Sequence, residues 1–183
     1  MTVNNSTPHR KNKTRGCSFR INEEWLNVLT EEADKQAISV NSLMNKILRQ
    51  YSFQYRHMKR FGSVVLSRTL LTKIIDCCTE SEIKEIAQFT GSIETKDALR
   101  TLGIHSTYDK VLEHLKSVGI FGGWFDFTQH TKDAGEYLHL RHEFGKKWSK
   151  FLAETISTVF KSILNTEIKI EVFDNYVTIQ LPT

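Results

Sequence analysis

The chain has 183 residues, of which 39% are hydrophobic, 10% aromatic and 25% charged. This apolar content can bury a core, which excludes disorder over most of the length. No apolar run reaches the roughly 18–20 residues of a membrane span, and the polar start MTVNNSTPHRKNKTRG lacks the apolar core of a secretory signal. Three cysteines, two of them adjacent, do not form a disulfide framework. We therefore expect a cytoplasmic protein with no membrane partner.

The net charge of +4 is unevenly distributed along the chain. Residues 1–61 carry a net charge of +6 and residues 62–183 a net charge of −2. A basic segment joined to a mildly acidic one favours a polyanion-binding module carried by a second domain.

The basic N-terminal part begins with a polar arm, residues 1–15, which can bury nothing and is expected to be flexible. Residues 17–21 then alternate in polarity, which predicts a short strand. Its apolar face holds Cys17, Phe19 and Ile21, and its polar face holds Ser18 and Arg20.

Two helices are predicted after this strand. Asn22 is a good N-cap, and the apolar spacing that follows predicts a helix to about Gln36. Ser39 is the N-cap of the second helix, which is expected to continue to about Lys59. A domain boundary is expected there, with residues 16–61 as one domain and 62–183 as the other.

The larger domain is predicted to be rich in helices before a C-terminal sheet. Val64–Leu66 has the pattern of a short strand, and Thr79 to Glu82 that of a helix-opening capping box. The predicted helices are 68–78, 79–89, 95–102 and 108–118, with a turn at Thr90-Gly91 and a stop at Gly119. The predicted C-terminal elements are strands 124–129 and 137–144, helix 146–164, and a hairpin of 168–172 and 177–181 turning at Asp174-Asn175.

The strand at 17–21 has no partner within residues 1–61, and its backbone groups need pairing. A second copy of the chain would provide it, as a two-stranded antiparallel ribbon about a twofold axis. Ser18 and Arg20 would then project outward. Such a ribbon fits the major groove of DNA, where Arg can bond guanine and Ser several base edges. The N–H groups near Ser39, Val40 and Asn41 begin the second helix, where a phosphate is favoured.

Residues 16–51, GCSFRINEEWLNVLTEEADKQAISVNSLMNKILRQY, resemble a ribbon-helix-helix domain of the MetJ/Arc/CopG/NikR superfamily. The resemblance implies base readout by Ser18 and Arg20, with Gly16 where a third reader often stands, and a phosphate clamp at Ser39, Val40 and Asn41. The inter-helix turn, where the family often has glycine, holds Ala37, so we expect a slightly different turn. The whole chain also resembles, more weakly, archaeal proteins with this order of domains, which implies no activity.

Metal binding and catalysis are weakly indicated. His139 and His142 point to opposite faces of a predicted strand, and adjacent Cys77 and Cys78 diverge on a helix. No nucleophile elbow or glycine-rich phosphate loop occurs, so we expect no enzyme, no cofactor and no metal. His142, at a strand-to-helix junction, is expected to serve capping and packing.

We therefore expect an α+β chain: an N-terminal ribbon-helix-helix, a helix-rich segment, and a C-terminal antiparallel sheet packed on a long helix. The expected function is sequence-specific binding of double-stranded DNA by a homodimeric transcriptional regulator. The base readers are Ser18 and Arg20, and the phosphate contacts are Arg10, Lys11, Lys13, Arg15, Ser39, Val40 and Asn41. Residues 62–183 would sense a small-molecule effector or fix the oligomer. The alternative is an antitoxin-like module whose larger domain binds a polypeptide.

Overall fold

Contacts divide the chain into two units, Met1–Arg49 and Gln50–Thr183. The structure is a computed structural model, and it describes residues 15–57, 62–132 and 135–182. The division falls at the end of the second helix, whereas the sequence placed the boundary farther along, after residue 61. The fold class is α+β, as predicted, with an antiparallel sheet in the second unit.

The first unit contains two helices whose N-caps are the ones predicted. Helix α1 spans Glu23–Lys35 and starts at Asn22, whose side-chain oxygen accepts a hydrogen bond from the Glu24 N–H at 2.8 Å. Helix α2 spans Val40–Gln50 and starts at Ser39, whose hydroxyl oxygen accepts from the Ser42 N–H at 3.1 Å. These side chains satisfy amide groups that a helix start otherwise leaves unbonded.

The turn between α1 and α2 places an alanine in the left-handed conformation. Ala37 has φ of 51°, and its N–H donates to Asp34 O at 3.0 Å. The Ile38 N–H donates to Ala33 O, also at 3.0 Å. This pair of bonds is the Schellman motif, in which glycine is usual at the left-handed position. The turn therefore keeps the geometry that glycine would give, at a cost in conformational energy.

Replacing Ala37 with glycine should stabilise the first unit by up to about 1 kcal/mol, because glycine adopts positive φ without the Cβ clash. Hydrogen exchange of the α1 and α2 amides measures the change. The control is Ala98→Gly, within a right-handed helix, where the same change should destabilise by a similar amount. Faster exchange in the Ala37→Gly protein would contradict this interpretation of the turn.

Helix α2 is followed by a π-helical turn, Tyr51–Tyr55, so the helical path continues past Gln50 as the sequence suggested. Residues 58–61, where that helix was expected to end, lie outside the described residues. The strand predicted at Val64–Leu66 is wrong: these residues belong to none of the described strands and are exposed. A run of three apolar residues forms a strand only where a neighbouring strand can hydrogen-bond with its backbone, and the apolar pattern does not show whether such a neighbour exists.

Four further helices precede the sheet: α3 (Arg68–Cys77), α4 (Glu80–Phe89), α5 (Thr95–Leu102) and α6 (Tyr108–Gly122). The predicted capping box is confirmed, with Thr79 and Glu82 bonding each other's backbone N–H groups. The predicted turn at Thr90-Gly91 is wrong, because Thr90–Glu94 forms a π-helical segment between α4 and α5. A Cβ on Gly91 would lie 2.5 Å from Thr155 O, so only glycine fits.

Helix α6 does not stop at Gly119 as predicted. It continues to Gly122 and ends at Gly123, whose φ of 68° makes it the left-handed cap. A Cβ on Gly119 would lie 2.2 Å from the Phe125 ring. Gly119 is therefore a site of close packing inside the helix and not a helix terminator.

The core of the second unit lies between a four-stranded antiparallel sheet and helix α7 (Lys146–Leu164). The strands are β1 (Asp126–Lys132), β2 (Gly135–Arg141), β3 (Lys169–Val172) and β4 (Tyr176–Gln180), in the order β1-β2-β4-β3. The bounds of α7, the hairpin turn at Asp174-Asn175 and the packing of helix on sheet are as predicted, whereas each hairpin strand begins or ends one residue away from its predicted bounds. Trp148 contacts the rings of Trp124, Phe144 and Phe151 at this core, and Trp124 also contacts Phe151.

Truncating Phe151 to alanine should cost about 3–5 kcal/mol of unfolding free energy, because its ring is buried against those of Trp124 and Trp148. Denaturant unfolding of the full chain measures this cost. Phe89→Ala is the matched control, since that phenylalanine is half exposed on a helix. Equal losses in the two variants would contradict the position of Phe151 in the core.

Candidate nucleic-acid interface

The segment predicted as a ribbon strand belongs to no sheet and pairs with no strand in the described part of the single chain. No secondary structure forms between Arg15 and Asn22, and residues 15–20 are all exposed. A strand without a neighbour cannot form a ladder, so the strand at 17–21 stays a prediction about two copies of the chain.

The two predicted base readers lie in this segment. Ser18 and Arg20 are exposed, and Arg15 beside them is exposed too. The apolar residues between them, Cys17 and Phe19, are equally uncovered, with 61% of Phe19 accessible to solvent. The structure therefore leaves both faces of the segment available.

The predicted phosphate clamp is at the start of α2. Ser39 and Asn41 are exposed and Val40 is half-buried. Ser39 caps the Ser42 N–H, and no acidic residue occupies the first turn of α2. By contrast, the first turn of α1 holds Glu23 and Glu24. Of the two helix starts, that of α2 is the one without a carboxylate to repel an anion.

Basic and acidic residues are segregated along the sequence of the first unit. The first 22 residues contain five basic residues and no acidic one, whereas all five acidic residues of residues 1–49 lie in α1. Of the predicted phosphate contacts, Arg15 is described and exposed, while Arg10, Lys11 and Lys13 lie outside the described residues. A polyanion is therefore favoured beside the segment that precedes α1.

The first unit has almost no core of its own. Within its described residues, 15–49, Ala33 and Leu43 are the only buried apolar side chains. Trp25 and Val28 on α1 are 65% and 64% exposed. Among residues 15–49, the large apolar side chains that are exposed are Phe19, Trp25, Leu26, Val28, Ile47 and Leu48. The sequence predicted amphipathic helices, and the structure shows that a single chain does not bury their apolar residues.

In the second unit, the buried pair His142 and Ser149 has the composition of a catalytic dyad but a structural role. The Phe144 N–H donates to His142 Nδ1 at 3.2 Å, so Nε2 carries the proton and donates to the Ser149 hydroxyl at 2.8 Å. That hydroxyl in turn donates to Asp174 O at 3.2 Å. The network joins the end of β2, the start of α7 and the β3–β4 turn. Ser149 is completely buried, which leaves its hydroxyl no access to a substrate.

Burial lowers the pKa of His142 to about 4, from 6.5 in an exposed imidazole. Between about pH 6.5 and pH 4 the unfolded chain binds a proton here that the folded chain excludes. The stability of the second unit should therefore fall as the pH is lowered from 6.5 towards 4. His142→Gln should flatten this slope by up to one proton relative to the unsubstituted chain. Identical slopes of unfolding free energy against pH would contradict this role of His142.

A pair of histidines, His130 and His139, lies on the sheet face opposite α7. Nε2 of His130 on β1 is 3.4 Å from Nε2 of His139 on β2, and the two rings are stacked. His139 Nδ1 is also 2.9 Å from the Thr178 hydroxyl. Burial and the neighbouring His130 lower the pKa of His139. In the described ranges, no three histidine, cysteine or carboxylate side chains are grouped to hold a metal ion.

An open groove of about 550 Å³ runs beside strand β3. Its floor is apolar, and its rim is charged, with Lys150 Nζ 2.7 Å from a Glu80 carboxylate oxygen. The lining residues come from α4, α7, β3 and the position just before β3: Glu80, Ile83, Lys84, Lys150, Ala153, Glu154, Ser157, Ile168, Ile170 and Val172. Sequence reasoning did not locate this groove, because it depends on which strand forms the edge of the sheet.

None of the described helices is long and apolar enough to cross a membrane. Comparison with family models, curated proteins and solved structures gives no match for this chain.

Proposed function

We propose that the chain is a homodimeric, sequence-specific DNA-binding protein that regulates transcription in the cytoplasm. In this proposal residues 17–21 of two copies pair as an antiparallel ribbon that enters the major groove. Ser18 and Arg20 contact bases, while the N-terminal arm and the start of α2 contact phosphates.

The observation that carries the proposal is the exposed apolar surface of the first unit. A unit of this size whose described residues include only two buried apolar side chains has too small a core to be stable alone. Each large apolar side chain that a second copy buries contributes up to about 1.5–3 kcal/mol. Association therefore supplies the missing core, and the same step gives the lone strand its partner.

Three further features support DNA as the ligand of this dimer. Arg20 lies two residues from Ser18, so both side chains fall on the same face of an extended segment. Ser18 and Arg20 belong to the first 22 residues, which contain five basic residues and no acidic one. The start of α2 lacks carboxylates and presents backbone N–H groups. Together they provide the base-reading and phosphate-binding chemistry of a major-groove ribbon.

Arg20→Ala should weaken binding to the preferred sequence and relax the base preference, because the guanidinium no longer bonds guanine. The expected cost is roughly 1–3 kcal/mol for each guanine that Arg20 reads. Selection from a random DNA pool, followed by fluorescence anisotropy on the selected and a scrambled duplex, measures both effects. The matched control is Arg100→Ala, an exposed arginine on α5 paired with Asp97. Unchanged affinity for both duplexes in Arg20→Ala would exclude Arg20 as a reader.

Lys11→Ala and Lys13→Ala should act differently from Arg20→Ala. Removing a side chain that bonds a phosphate should weaken binding to all sequences alike and reduce the salt dependence of the affinity by about one ion. A change of base preference in either lysine variant would contradict a backbone-only role for the arm.

The runner-up is an antitoxin-like protein in which the ribbon still binds DNA and the larger unit holds a polypeptide. The groove beside β3 favours this alternative, since its apolar floor and charged rim suit a peptide chain.

A further inference from the structure

Strand β3 is one of the two edge strands of the sheet, and the hydrogen bonds to β4 show which of its backbone groups point outward. The Phe173 N–H donates to Tyr176 O at 2.9 Å, which makes these two residues a hydrogen-bonded pair. In an antiparallel ladder such pairs alternate with non-bonded ones. Lys169 and Glu171 therefore bond to β4, and the N–H and C=O groups of Ile170 and Val172 point to the open edge.

Side chains of β3 also alternate between the two faces of the sheet. Ile170 and Val172 pair with Ile179 and Val177 on the face towards α7, where they line the groove. Lys169 and Glu171 are exposed on the opposite face. Their opposite neighbours on β4 are Gln180 and Thr178, which are uncharged. Both charges thus lack an ionic partner across the ladder.

We infer that this edge pairs with the same edge of a second copy, in an antiparallel register centred on Ile170. Ile170 then lies opposite the second copy's Ile170 as a doubly hydrogen-bonded pair. Lys169 lies opposite the second copy's Glu171, and Glu171 opposite its Lys169. These charge pairs fall at non-hydrogen-bonded positions, where facing side chains are closest.

Charge selects this register over its neighbours. Hydrogen bonds form between the two strands only when residues whose N–H and C=O groups point to the open edge face one another. The twofold axis can therefore move along the strand only in steps of one residue. Centring on Lys169 would place two lysines opposite each other, and centring on Glu171 would place two glutamates opposite each other. Like charges at facing positions are destabilising. The register centred on Ile170 alone pairs both charges with their opposites.

The groove explains why a second copy gains by adding to this edge. Val172 is 37% exposed, and Ile168 and Ile170 are half-buried beside the groove. A second β3 brings the same three apolar side chains to the same sheet face, next to the first set. The added strand therefore extends both the backbone ladder and the apolar surface above the groove. The inference is independent of the proposed DNA binding, which uses the first unit.

Charge reversal in the full-length protein tests this pairing. Lys169→Glu or Glu171→Lys alone turns both facing pairs into like charges, whereas the double variant restores opposite charges with positions exchanged. We expect each single variant to weaken this self-association by about tenfold and the double variant to restore it. Sedimentation over a range of concentrations measures the association, and hydrogen exchange of the Ile170 and Val172 amides identifies the edge. Lys161→Glu, the same charge change on an exposed part of α7, is the control.

Two results would overturn the inference. One is fast exchange of the Ile170 and Val172 amides in concentrated wild-type protein. It would show that β3 does not pair with a second copy, and an extended segment of another protein would then be the occupant to test. The other is failure of the double variant to recover the association that the single variants weaken. If the wild-type protein binds no DNA while its Ile170 and Val172 amides are protected, the proposed function is contradicted but this pairing is not.

Discussion

The first unit of the chain depends on one constraint: its two helices do not bury enough apolar surface to stand alone. Ala33 and Leu43 are enclosed, while Trp25, Val28 and Phe19 remain largely in water. The backbone N–H and C=O groups of residues 17–21 also lack hydrogen-bond partners, since no strand in the described part of the chain pairs with them. One event, association of two copies through these residues, would satisfy both requirements, and the DNA-binding proposal follows from the ribbon that this association forms.

The second unit has no such shortage. Its sheet and α7 enclose a continuous core, and the aromatic cluster around Trp148 fixes the start of α7 against that core. Lys147 adds a polar link, because its ammonium group donates to Asp76 O and Cys78 O at 2.7 and 2.6 Å. These are carbonyls at the end of α3, where a cation is favoured. Among its described residues, the second unit leaves the outer edge of β3 unpaired. Lys169 and Glu171 on that strand would each face the opposite charge in a second copy paired in the inferred register.

The sequence predicted those elements whose signals are local. Asn22, Ser39 and Thr79 mark helix starts by their own side-chain chemistry, and the apolar spacing of α7 defines its length. The prediction that Gly119 ends the helix was wrong, because glycine is required there by the Phe125 ring, which packs against the helix where a Cβ would lie. Ala37 takes the left-handed conformation although its side chain disfavours it, because the two turn hydrogen bonds hold it there.

The parts of the candidate sites that could not be predicted depend on strand order and register. The contact between His130 and His139 arises because His130 lies opposite Tyr137, one step from His139 along the same sheet face. The groove exists because β3, not β4, forms the edge of the sheet. Neither the order nor the register follows from alternating polarity alone, since that pattern defines faces and not neighbours.

Hydrogen exchange of the amides of residues 17–21, followed as the protein is diluted, tests the ribbon most directly. If two copies pair along this segment, alternate amides should be protected in concentrated protein and should lose protection together as the mass falls towards that of one 21.2 kDa chain. Fast exchange at all five positions in a protein that sediments as a dimer would show that the copies associate elsewhere and would contradict the ribbon.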